Sequence, residues 1–164
     1  GQRTDVANEN AAVVAELREA YEGWWRSLQP EFDRYVRIDI GGAESSVALM
    51  SHDWHTNDKG TPWHQNHVRN GYVGNGPWAM QVQKSGTYDV TLRRWPAHLG
   101  KSMGAVHARL AIAGVEAEKA IEPDATEVTF RVALERGPAM LLTTLRREDG
   151  KEHGAYFASI RSVE

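Results

Sequence analysis

After Pro30 the apolar residues of this chain stop recurring every three or four positions and begin to alternate. Val36/Ile38/Ile40 stand against Arg37/Asp39, and Trp78/Met80/Val82 against Gln81/Gln83. A period of two sends successive side chains to opposite faces of a strand, so each segment offers one face to a core and one to water. The pattern returns at Tyr88/Val90/Leu92, at Val106/Ala108/Leu110/Ile112 and at Val128/Phe130/Val132/Leu134. Further candidates lie at 139–146 and 155–163, with a short one at 47–50. Lys84-Ser85-Gly86 reads as the turn of a hairpin joining the strands at 78–83 and 88–93. Seven or eight short strands separated by Gly-containing turns predict a mostly β protein. The expected form is an antiparallel two-sheet β-sandwich of the jelly-roll kind.

Upstream of Pro30 the period is helical. Val13, Leu17, Tyr21, Trp24 and Leu28 recur at spacings of four and three, with Asn10 placed as an N-cap. Glu16, Arg18, Glu19, Glu22 and Arg26 fill the other faces, and Gln29-Pro30 ends the run. One amphipathic helix is therefore predicted over 10–29, packing on the sandwich or at a seam with another domain. Trp24 and Trp25 point about 100° apart on such a helix, which makes both domain-interface candidates. Residues 1–9 are polar and unpatterned and read as a lead-in from a missing upstream domain. Residues 30–164 are the expected sandwich.

A length of 164 residues suffices for one domain with a real core. The net charge is −3 with both signs interspersed, which argues against nucleic-acid binding by bulk charge. No apolar run approaches a membrane span, and no signal peptide is present in the sequence. The absence of cysteine excludes thiolate catalysis, zinc–thiolate sites and disulfides.

Chemistry concentrates in residues 52–67, which hold four of the seven histidines and two of the six tryptophans. His52, Asp53, His55, His64 and His67 are the weak metal candidates. Their spacing matches no established ligand pattern, and no metal is expected. Sugar binding asks for Trp faces that stack on pyranose rings and for polar groups that reach hydroxyls or anions. Trp54, Trp63 and Trp95, with His55, His64, Gln65, His67 and Arg93, supply both. Trp54 and Trp63 can equally be core residues, and Trp78 falls on the apolar register of its strand. Arg93-Arg94 could clamp an anion, although an inward-pointing arginine would need a carboxylate partner. No nucleophile elbow, phosphate loop or HExxH occurs, and Glu116, Glu118 and Glu122 read as a solvated acidic patch. No catalytic residue is expected in this chain.

Several linked motifs resemble a known family. Thr4-Asp5-Val6-Ala7-Asn8-Glu9-Asn10 precedes a helix carrying Leu17-Arg18, Ala20-Tyr21 and Trp24-Trp25. Beyond it come Asp53-Trp54-His55, Trp63-x-Gln65-x-x-Val68-Arg69-x-Gly71, Gly76-x-Trp78, Gly86-Thr87-Tyr88, Leu92-Arg93-Arg94-Trp95-Pro96 and Asp149-Gly150-Lys151-x-x-Gly154-Ala155-Tyr156. Together they resemble the C-terminal accessory domain of bacterial type I, formylglycine-dependent arylsulfatases. The resemblance implies a parent sulfuric ester hydrolase that uses formylglycine and calcium, in the periplasm or secreted. It also implies that the sandwich packs against a missing N-terminal catalytic domain. The Cys/Ser-x-Pro-x-Arg motif of that family is absent, so none of its catalytic or metal residues transfers here and no cofactor is expected in this chain. The alternative expectation is a carbohydrate-binding module for sulfated or neutral glycans.

Overall fold

The computed structural model describes residues 4–56 and 60–163. The chain divides into two compact units, Gly1–Val36 and Arg37–Glu164. In the first, a 3-10 turn at Ala7–Asn10 leads into α1 (Ala11–Leu28), and Gln29–Glu31 tightens the chain after it. None of the residues of α1 is buried. Its aromatic side chains instead cover one another: Trp25 stacks on Tyr21 at 6.2 Å and meets Phe32 at 5.1 Å, while Trp24 lies 5.7 Å from Tyr21. Trp24 and Trp25 remain 55% and 41% exposed.

The second unit is the sandwich. One sheet runs in the order β1 (Ile38–Ile40), β3 (Trp78–Val82), β8 (Gly137–Arg146), β5 (His107–Ile112) and β6 (Val115–Ala120), with β9 (Glu152–His153) also paired to β8. The other runs β2 (Ser46–Met50), β10 (Phe157–Val163), β4 (Gly86–Arg93) and β7 (Val128–Leu134). The alternation does what a period of two requires. Trp78, Met80, Leu110 and Leu141 face inward from the larger sheet, against Leu49, Val90, Leu92, Phe130 and Ile160 from the smaller.

Two expectations are corrected. The strands β3 and β4 do not form a hairpin; they belong to different sheets. Lys84 and Ser85 therefore carry the chain over the edge of the core. Tyr88 is fully buried there and donates its hydroxyl proton to the Lys84 carbonyl. Gly41, at φ +68°, passes so close to that hydroxyl that a Cβ would fall 1.9 Å from it, which only glycine avoids. Nor is the sandwich wholly antiparallel, because β1 pairs with β3 in parallel. The three-residue β1 enters from the first unit, and its connection to β3 runs through the whole of β2 and residues 51–77. A connection that long can return the chain in the same direction.

On the outer face of the smaller sheet Asp89 receives a bidentate Arg131 at 2.8 and 2.9 Å and a further contact from Arg161 at 3.3 Å. Its carboxyl is held at about 2, first by the Arg131 hydrogen bond. A depressed carboxylate contributes stability that is complete above its unfolded value near 3.9 and is lost as pH falls toward 2. Asp89→Asn is accordingly expected to flatten the acid limb of the urea-midpoint profile between pH 4 and 2. An unchanged limb would show that the Asp89 cluster plays no part in it.

Candidate functional site

The described residues of 52–67 follow β2 and separate into a buried part and an exposed part. A 3-10 turn at Ser51–Asp53 leaves His52 and Asp53 exposed. The next residue, Trp54, turns into the core and is 5% exposed. Its ring meets Trp78 edge-on at 5.7 Å and lies 6.1 Å from Tyr156. The slot for the indole is cut by a glycine far along the chain: a Cβ on Gly154 would come within 2.6 Å of the ring, while one on Gly76 would fall 3.0 Å from the Trp54 Cβ and 2.9 Å from the Thr56 methyl. Trp54 is thus a packing residue and not a ligand platform. His55 is exposed, and its amide donates to the Pro77 carbonyl at 2.9 Å.

The exposed part is built on a helix that the sequence reading did not anticipate, α2 (Gln65–Asn70). Trp63, just before it, is 78% exposed. His64 is the N-cap: its Nδ1 accepts the Asn66 amide at 3.2 Å, satisfying one of the orphan donors of the first turn. His67 Nδ1 accepts the Trp63 amide at 3.0 Å, and its ring stacks on Tyr72 at 5.1 Å and lies 4.1 Å from that of His64. An imidazole that accepts through Nδ1 carries its proton on Nε2. Both rings therefore offer an N–H donor where a metal would need a lone pair. Among the described residues no three of the His, Asp and Glu side chains gather as metal ligands.

Gly71 ends α2 in the left-handed region at φ +68°, where a Cβ would also fall 2.9 Å from the Arg147 guanidinium. Arg94 closes the same end by donating to the Val68 and Arg69 carbonyls at 3.2 and 3.0 Å. The expected carboxylate partner for an inward arginine is thus replaced by backbone oxygens that a helix C-terminus leaves unsatisfied. Arg93 points to the opposite face and is engaged by Glu127 at 2.8 Å and Ser159 at 3.1 Å, which removes it from an anion clamp.

Between α2 and the chain leaving β4 lies a cleft of about 360 Å³. Its apolar lining is Trp95, Pro96, Leu99, Val68 and Phe157; its polar lining is Gln65, Arg69, His98 and Lys101. Trp95 is half-buried, and its indole N–H is fixed to the Ser102 carbonyl at 2.9 Å. The Arg94 guanidinium and the Lys101 ammonium sit 4.8 and 5.2 Å from its ring centroid. Of the residues singled out from sequence, Gln65 and Trp95 come together here, whereas His64 and His67 support the helix behind Gln65. Arg69, His98 and Lys101 were missed. Only Arg69, one turn beyond Gln65 on a helical reading of 65–70, left a signal. A larger groove of about 510 Å³ runs over the outer face of the bigger sheet beside Met140 and Leu142, but no aromatic side chain lines it.

No family model and no curated protein matches the chain, so the resemblance to arylsulfatases rests on its sequence motifs alone. Among solved structures, a ruminal GH26 endo-β-1,4-mannanase is similar over 74% of this chain at 13% identity and a TM-score of 0.45. The chain spans 26% of that enzyme's length. A family 35 carbohydrate-binding module from Clostridium thermocellum matches over 71% of this chain and 98% of its own, at 12% identity and a TM-score of 0.44. The corresponding module from Cellvibrio japonicus matches over 73% and 99%, at 15% identity and a TM-score of 0.43. None of the three reaches a TM-score of 0.5, so what the cleft takes is read from its own side chains.

Proposed function

We propose that this chain is a non-catalytic glycan-binding module and that the Trp95 cleft is its binding site. The observation that carries the proposal is the indole itself. It is half-buried, locked at its N–H by Ser102 and set in a cleft whose rim consists of hydrogen-bonding side chains. A rigid aromatic face stacks on the C–H face of a pyranose, and amide, imidazole and guanidinium donors reach its substituents. None of the nine lining residues is Asp or Glu, so the cleft lacks the carboxylate pair that glycoside hydrolysis uses.

Trp95→Ala is expected to weaken polysaccharide binding about tenfold or more, the usual weight of a central tryptophan in a recognition site. Affinity electrophoresis through gels containing soluble polysaccharides measures this, with circular dichroism confirming that the variant folds. Retardation equal to that of the parent chain would remove the cleft from the binding site. A second reading, an accessory domain seated on an arylsulfatase-type catalytic domain, draws support from the linked motifs and from the exposed aromatic cluster of α1. Its check is the complete reading frame: a Cys/Ser-x-Pro-x-Arg motif encoded upstream is expected, and its absence would end that reading.

A further inference from the structure

We infer that the cleft selects an acidic sugar, with the pyranose ring on Trp95 and its anionic group on Arg69 and Lys101. The inference rests on the glycan-binding reading and adds the ligand's charge to it. Arg69 is held in place without being neutralised. Its two terminal nitrogens each donate to a neutral amide oxygen, Asn66 Oδ1 at 3.1 Å and Gln65 Oε1 at 3.0 Å. A guanidinium has five N–H donors, so three are left to a ligand from a fork whose orientation is already set. Lys101 follows Gly100, which takes the left-handed conformation that ends the 3-10 turn at Ala97–Leu99. That turn brings the ammonium to the indole.

The charge balance of the cleft is what separates an acidic ligand from a neutral one. In a chain of net charge −3, Arg93, Arg109 and Arg131 each sit on a carboxylate. Arg69, Arg94 and Lys101 form no ion pair with a carboxylate among the described residues. Arg69 and Lys101 line one small concavity whose lining supplies no negative charge, and Arg94 lies 4.8 Å from the ring centroid of Trp95. A neutral sugar would leave that excess uncompensated, whereas a carboxylate or sulfate ester on the ring accepts charge-assisted hydrogen bonds from it. The two anions share this chemistry, and experiment has to tell them apart.

Affinity electrophoresis of the full chain through κ-carrageenan (sulfated), polygalacturonate (carboxylated), agarose and galactomannan (both neutral) makes the test. Retardation is expected on one or both acidic polymers, weakening as sodium chloride is raised, and the responding polymer names the anion. Arg69→Gln and Lys101→Gln are each expected to reduce it roughly tenfold, the order expected for one charge-assisted contact. Trp95→Ala is expected to weaken it by about tenfold or more as well. Equal retardation on neutral and acidic polymers, unaffected by Arg69→Gln, would overturn the acidic-sugar inference while leaving glycan binding in place. Retardation on the acidic polymers that Trp95→Ala leaves unchanged would mark diffuse ion exchange and would also overturn it. Failure on all four polymers would overturn both the inference and the glycan reading.

Discussion

Trp78→Ala is expected to cost the sandwich about 3–5 kcal/mol, a large share of the roughly 5–15 kcal/mol that stabilises a domain. Trp78 is fully buried on β3 of the larger sheet. Its indole N–H donates at 2.8 Å to the carbonyl of Met50, the last residue of β2 in the smaller one. One side chain thus fills the core and ties the two sheets together. Truncation removes the buried ring, leaves a cavity beside Trp54 and orphans a carbonyl at the sheet end, and these losses act together. Trp54 rests edge-on against this ring, so its own packing loosens too. Urea unfolding followed by far-ultraviolet circular dichroism measures the loss, with Trp78→Phe expected to recover most of the packing term but not the hydrogen bond. A loss below about 1 kcal/mol for the alanine variant would show that the core closes over the gap and that the tie to Met50 is dispensable.

Trp78 could be placed in the core from sequence because the information was local: it sits on the apolar register of its own strand. The inward faces of β4, β5 and β7 were legible in the same way, as were the helical period of α1 and the strand segments of β8 and β10. What escaped was set elsewhere. The β5–β6 hairpin turns through Ala113 and Gly114, both at positive φ, a conformation that Asn-Gly would have advertised and Ala-Gly does not. Read without that turn, Glu116 and Glu118 look like an acidic patch; they are the outward positions of β6, and Glu116 pairs with Arg109 at 2.8 Å. Strands β3 and β4 share an ordinary hairpin signal, yet they part because their apolar faces are buried from opposite sides of the core. Trp54 is claimed by a slot that Gly154 opens, a residue some one hundred positions away. The cleft was half legible for the same reason. Gln65 and Trp95 announce binding chemistry by residue type, but Lys101 and His98 enter only through the tertiary course of residues 96–101.

A histidine outside residues 52–67 ties the stability of the sandwich to pH. His153, on β9, is 2% exposed, and its ring stacks nearly parallel on Tyr156 at 4.7 Å. Nδ1 pairs with the Gly154 carbonyl at 2.8 Å, which makes it the protonated nitrogen of the neutral ring. Nε2 is buried with no hydrogen-bond partner among the described residues. A second proton would therefore place an unsatisfied charge in the interior, and the Arg94 and Arg147 guanidiniums oppose it further. Burial first, and those cations after it, hold the His153 pKa below its ordinary value. The unfolded chain meets no such penalty and takes up the proton near pH 6.5. Below that value the unfolded state binds more protons than the native one, so stability must fall as pH falls until the native ring itself titrates. The slope from this one group approaches about 1.4 kcal/mol per pH unit only well below pH 6.5, so about 1 kcal/mol separates pH 6.5 from pH 5.5 at most. His153→Phe keeps an aromatic ring on Tyr156 and cannot titrate; it is expected to be less stable than the parent at pH 7.5 and to lose that deficit as pH drops to 5.5. Urea unfolding of both proteins across this range decides the matter: convergence of the two profiles places the cost on His153, and parallel profiles would mean that the folded ring takes its proton as readily as the unfolded one.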